Sequence, residues 1–139
     1  RMLAVLAHMG GDHMDRASLE SLAAPRGRAG QALDDLVRLR LVQTAAPGRF
    51  TVHATVRYAV RQMLPFDEDV IARHYLVLFE RHPERVADEQ TQLFALMDWA
   101  QERSDLDDIL RVRAIAESEI VNPPYSAPRS KPSRSRSRS

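Results

Sequence analysis

One change of rhythm constrains this chain more than any other feature. Between residues 31 and 43 it reads QALDDLVRLRLVQ, and between 48 and 62 it reads GRFTVHATVRYAVRQ. In the first run, with Ala29 ahead of it, Leu33, Leu36, Val37 and Leu41 recur at helical spacing. In the second, Phe50 and Val52 alternate like a strand, and the helical period returns at Val56, Ala59, Val60 and Met63. The pattern predicts a helix over 28–40, a strand over 41–44, a turn over 45–48, a return strand over 49–52 and a helix over 54–64. Upstream, the run 2–9 is apolar almost all round, so it reads as a buried helix. Asp15 suits the N-cap of a further helix over 16–23, with Leu19 and Leu22 on one face. Three helices, a small hairpin and a closing helix describe a winged-helix module over residues 1–64.

Pro65 opens a different region. Asp67 and Asp69 complement the positive end of a helix over 68–81. Its apolar residues are Val70, Ile71, Tyr75, Leu78 and Phe79. A helix over 85–102 carries Leu93, Phe94, Leu96, Met97, Trp99 and Ala100. Ser104 or Asp105 caps another over 106–120, with Ile109, Leu110, Val112, Ile115 and Ala116. Antiparallel packing of these helices makes residues 65–121 a helical bundle. Residues 122–139 read NPPYSAPRSKPSRSRSRS. That composition cannot bury enough apolar surface to fold, so a disordered tail is expected. The fold class is therefore mainly α: a winged helix, an antiparallel bundle and a tail.

Charge divides along the same lines. Residues 1–64 hold 9 basic and 5 acidic groups, residues 65–121 hold 6 and 14, and residues 122–139 hold 5 and none. The formal charge of +1 thus hides opposed blocks, which suit internal docking or contact with a polyanion. The Arg-Ser tail is suited to polyanions through phosphate contacts. The absence of cysteine excludes disulfides, thiolate metal sites and a Cys nucleophile. No apolar run approaches the length of a membrane helix, and no secretory leader is evident, so a cytoplasmic location is expected.

The residues 52–59 carry a resemblance. Val52, His53, Ala54, Val56, Arg57, Tyr58 and Ala59 stand where a hairpin strand meets a helix. This is similar to the Met-His-Asp-like motif of the winged-helix domain in NB-ARC (STAND) signal-transduction ATPases, including bacterial transcriptional regulators. The segments ARHYLVLFERH and LFALMDWAQER resemble the helical region after that domain, and the likeness covers about residues 2–116. One position departs from it: Ala54 replaces the family's usual acidic residue. The resemblance implies that His53 senses the phosphates of ADP bound to a nucleotide-binding core. The partner would be that core, in the same protein or another one. No G-x-x-x-x-G-K-[ST] loop occurs in this chain, so it does not hydrolyse ATP by that route itself. The expectation is a non-enzymatic regulatory module with no cofactor of its own, and ADP or ATP only where such a core exists.

The alternative is a free-standing winged-helix DNA reader. Its third helix would enter the major groove through Arg28, Gln31 and Arg38, with Arg49 touching phosphate from the hairpin. Asp34 and Asp35 on the same helix oppose that use. Other constellations are bland. His8 and His13 straddle a Gly-Gly break, which suits no metal site. His74 and His82 read as solvated or stacking groups, and Ser18 and Ser21 have no base in sequence reach. Asp105, Asp107 and Asp108 match a helix dipole, and Trp99 reads as core.

Overall fold

The computed structural model describes residues 1–23 and 29–121; Arg28 and the segment 122–139 lie outside the described residues. The chain is mainly helical with one small antiparallel sheet. Helix α1 (Met2–His8) buries Met2, Ala4, Val5, Leu6 and Ala7, as its all-round apolar sequence demands. Strand β1 (Met14–Asp15) follows, then α2 (Arg16–Ala23) and α3 (Ala29–Arg38). Strands β2 (Gln43–Ala46) and β3 (Arg49–Thr51) form the hairpin, which turns at Gly48 with a φ of 73°. The sheet order is β1-β3-β2, with Met14 opposite Phe50 and Asp15 opposite Arg49. Strand β1 is two residues long, too short to show a period in the sequence.

The first hairpin strand begins later than its pattern suggests. Arg40 takes a left-handed conformation, and the N–H groups of Arg40 and Leu41 donate to the carbonyls of Val37 and Leu36. This closes α3. Leu41 is turned outward, Val42 is buried, and the strand starts at Gln43. Helix α4 (Ala54–Met63) follows and packs on α1, yet none of its residues is fully buried. Tyr58 and Met63, on this helix, are largely exposed.

Helix α5 (Glu68–Arg81) is capped by Asp67, which accepts from the Asp69 N–H at 2.9 Å. The single helix expected over 85–102 is instead two pieces. A 3-10 helix spans Pro83–Asp88, and α6 spans Gln90–Arg103. The break falls at Glu89, whose backbone leaves helical geometry while its carboxylate is drawn inward to two arginines. Ser104, left-handed, ends α6. Asp105, not Ser104, caps α7 (Leu106–Val121), accepting from the N–H groups of Asp107 and Asp108. Val70, Phe94 and Leu110, named among the apolar residues of these helices, lie on exposed faces.

The two sequence regions share one core. Val5, Leu6, Met9, Leu19 and Phe50 belong to the same cluster as Ile71, Tyr75, Phe79, Leu93 and Val112. Each such side chain contributes on the order of 1.5–3 kcal/mol of hydrophobic stabilisation. A polar seam crosses the boundary as well. Gln92 donates to the carbonyl of His13 at 2.8 Å, and the Asp12 N–H donates to Thr91 Oγ1 at 3.0 Å. Trp99 packs against the core from α6 and donates its indole N–H to Asp69. Among the described residues, no helix is long and apolar enough to cross a membrane.

Candidate functional site

The junction of β3 with α4 carries the residue singled out by the sequence. Val52 is buried and anchors the strand end. His53 then caps α4 with extended backbone, and its Nδ1 accepts from the Thr55 N–H at 3.1 Å. A ring nitrogen that accepts is unprotonated, so the neutral imidazole carries its proton on Nε2. The cap thereby sets the tautomer, and the exposed ring keeps an N–H donor for a ligand.

Arg57 lies one helical turn further on, its N–H bonded to the carbonyl of His53 at 2.8 Å. Its side chain is half-buried and has no hydrogen-bond or ion-pair partner among the described residues. Burial first, and Arg61 second, hold its guanidinium below the ordinary value, while Asp12 pulls the other way. Arg61 is engaged, donating to the Ala7 carbonyl at 3.3 Å and to Glu68 at 3.1 Å. Arg57 and Arg61 line an open pocket of about 440 Å³ with Asp12, Thr51 and Tyr58. Val52 and Ala54, the chain neighbours of His53, complete its wall. Ala54 is exposed and brings no carboxylate to the site. The pocket thus holds Arg57, which has the Asp12 carboxylate nearby but no ion pair among the described residues, beside Arg61, which is paired with Glu68.

The residues proposed for nucleic acid are placed differently. Gln31 donates to Asp35 at 3.0 Å, and Arg38 is ion-paired to the same carboxylate. Arg28 lies outside the described residues. Arg49, expected at the hairpin surface, faces inward, with a side chain only 15% exposed. Its guanidinium holds the fully buried carboxylate of Glu89 in two hydrogen bonds, and its Nε donates to His13 Nδ1 at 2.7 Å. This differs from the phosphate contact expected of Arg49. Arg49 stands opposite Asp15 in the β1–β3 pair, and from there its guanidinium reaches the buried carboxylate of Glu89 at the start of α6.

Histidines and serines also find partners that sequence distance conceals. His74 Nε2 and Ser18 Oγ share a hydrogen bond of 2.9 Å, tying α5 to α2. Ser18 is buried, so the pair is a structural tie with no access for a substrate. His8 Nε2 lies 2.8 Å from the Leu64 carbonyl. A larger concavity lies elsewhere, about 730 Å³ between α5, the 3-10 helix and α7. Phe79, Val86, Leu110 and Ile115 line it, and its arginine, Arg111, is already paired with Glu80. Glu84 and Ser118 are its other polar lining residues.

Sequence reasoning quoted Arg57 within the motif but assigned it no role. Its signal is indirect: it stands four residues after His53, on the same helical face, with no acidic residue one turn away on either side. Comparison with protein-family models, with curated proteins and with solved structures finds no match.

Proposed function

We propose that this chain is a regulatory module that gates the nucleotide state of a NB-ARC-like ATPase core through a winged helix. Support for the winged-helix reading comes from the element order α1-β1-α2-α3-β2-β3-α4 and from β1 pairing with β3. The observation that carries the function is the state of His53. Its cap leaves Nε2 of an exposed ring at the end of a strand, next to a pocket containing an arginine with no hydrogen-bond or ion-pair partner among the described residues. A neutral N–H donor fits a phosphate oxygen of bound ADP, and Arg57 supplies positive charge nearby. The core supplies the ATP chemistry; this chain's residues only hold or release the diphosphate end.

The test is made in the full protein that carries this chain. Replacement of His53 by Ala should speed ADP release about tenfold, the loss of one charge-assisted hydrogen bond, and raise basal activity. His53→Asn keeps a side-chain cap, so it separates lost capping from lost phosphate contact. Ala and Asn should release ADP alike, while only Ala should lower thermal stability. Unchanged ADP release in both variants would overturn the reading. Nothing at the surface of α3 favours the DNA reading: its Gln31 and Arg38 are spent on Asp35, and Arg49 on Glu89.

A further inference from the structure

The concavity between α5, the 3-10 helix and α7, about 730 Å³, is of the size that encloses a small ligand or a large side chain. Its floor is apolar: Phe79, Val86 and Ile115 are buried there. Leu110 stands on its wall 52% exposed, an apolar side chain left half uncovered by the described residues. Glu80 and Arg111 neutralise one another in two hydrogen bonds, of 2.9 and 2.7 Å. Glu84 is the remaining charged lining residue. Its side chain is 70% exposed, and its carboxylate is 3.4 Å from His82, a cation only when protonated. The groove thus joins an apolar floor to an acidic rim, on a region, residues 65–121, that holds 14 acidic and 6 basic groups.

The sequence that follows α7 has the complementary character. Residues 122–139, outside the described residues, carry 5 basic groups and no acidic one, with Tyr125 as their aromatic residue. Charge draws this segment toward residues 65–121 and away from residues 1–64, which hold 9 basic and 5 acidic groups. The tether gives the reach. Helix α7 lines the groove from Leu110 to Ser118 and ends at Val121. Ile115 lies about 9 Å back along the axis from that end. The four residues from Val121 to Tyr125 span up to about 13 Å when extended, and the next four, to Arg129, span about as much again. We propose that the groove takes the chain's own segment 122–128, with Tyr125 over Phe79, Val86 and Ile115 and the basic residues from Arg129 onward against the rim at Glu84. Pro123, Pro124 and Pro128 have a fixed φ, so less freedom is lost on docking. The tether supplies an effective concentration of millimolar order, so a millimolar affinity of the free peptide suffices for about half occupancy.

The test uses the full chain, residues 1–139. Cysteine is absent, so Ser126→Cys provides a single site for a nitroxide spin label. Paramagnetic attenuation of backbone amide signals then reports which residues the label approaches. Glu84, Val86 and Ala87 are the informative amides, since they line the groove but are remote from the label in sequence. Their signals should fall about twofold or more against the reduced label, as half occupancy demands. Tyr125→Ala should return them to the reduced-label intensity, because the ring is worth about tenfold or more in the docking constant. Leu110→Gln, at a side chain already half exposed, should weaken the attenuation from the groove side. Unchanged amide shifts across α1–α4 verify that both variants are folded. Attenuation confined to the last turn of α7 means that the groove is not the segment's place, and overturns the inference. So does attenuation that survives Tyr125→Ala but disappears at high salt, which is charge attraction without the groove. A mixture of spin-labelled chain with isotope-enriched, unlabelled chain should show none. Attenuation there belongs to contact between copies and overturns the inference too. No readout involves a nucleotide, so the proposal fails or stands apart from the gating reading.

Discussion

Replacing Glu89 with Gln removes the charge on which the polar seam turns. The Glu89 side chain is fully buried, with Arg49 on both carboxylate oxygens and Arg85 at 3.2 Å on one. Gln presents an amide N–H to a guanidinium where an oxygen had accepted, and it leaves two arginines without their anion. Breaking a buried pair from one side costs about 3–5 kcal/mol. The lower end applies here, because Arg85 is 34% exposed and also lies 3.5 Å from Asp15, so it rehydrates or changes partner. Arg49, at 15%, does neither easily. With a urea dependence of about 1.5 kcal/mol per molar, a loss of about 3 kcal/mol moves the unfolding midpoint down by about 2 M. The double variant Arg49→Met with Glu89→Leu removes both charges and should return to within about 1 kcal/mol of the parent. A midpoint shift below about 0.5 M for Glu89→Gln would refute the reasoning, because it would mean that the carboxylate is hydrated in the folded chain.

Four further outcomes follow from the same geometry. Burial, with Arg85 adding to it and Asp15 opposing, lowers the His74 pKa below its ordinary 6.5. The unfolded chain therefore takes up the proton first as pH falls through about 6.5, and stability drops; His74→Gln should flatten that slope in urea titrations between pH 7.5 and about 5. Arg40 holds a φ of 63° at the exposed end of α3, so Arg40→Gly should raise stability by about 0.5–1 kcal/mol in thermal or urea unfolding. A Cβ on Gly10 would stand 2.5 Å from the Ala95 Cβ, which cannot rotate away, so Gly10→Ala should cost about 1–3 kcal/mol by the same assay. Amide hydrogen exchange should be faster across α4, which has no fully buried residue, than across α1 or α5; equal protection would place α4 in the global unfolding unit.

The legible parts of the fold were those with a period long enough to repeat. Helices α1, α2, α5 and α7 begin and end within a residue or two of their patterns, and the hairpin turns where Gly48 allows it. What escaped was set by contacts across the chain. Strand β1 exists because Met14 finds Phe50, and two residues cannot show alternation. The break at Glu89 depends on Arg49, forty residues away, so the run ERVADEQTQLF looks continuous by itself. For the same reason Arg49 read as a surface cation, and Ser18 as a serine without a base. The junction around His53 was legible as a strand-to-helix turn, and the cap is local chemistry between His53 and Thr55. That Arg57 has no ion pair among the described residues was not legible, because pairing is decided by what approaches it in three dimensions.

The placement of strong and weak contacts bears on how gating could work. A hinge at Pro65 would have to part residues 1–64 from 65–121. That motion would expose the common core and strip the buried Glu89 carboxylate from Arg49, a costly separation. Helix α4 is held quite differently. Its ties are the His53 cap, the Arg61 bonds to Ala7 and Glu68, and the His8 contact with the Leu64 carbonyl. Such polar contacts exchange for water at about 1 kcal/mol each, and no fully buried side chain on α4 adds to the cost. The candidate site therefore sits on a helix with no fully buried residue, although α4 packs on α1 and sets Val56 against the core. On the proposed gating reading, a shift of α4 between Val52 and Leu64 would leave the shared core and the Glu89–Arg49 pair in place, whereas separation of the two regions would break both.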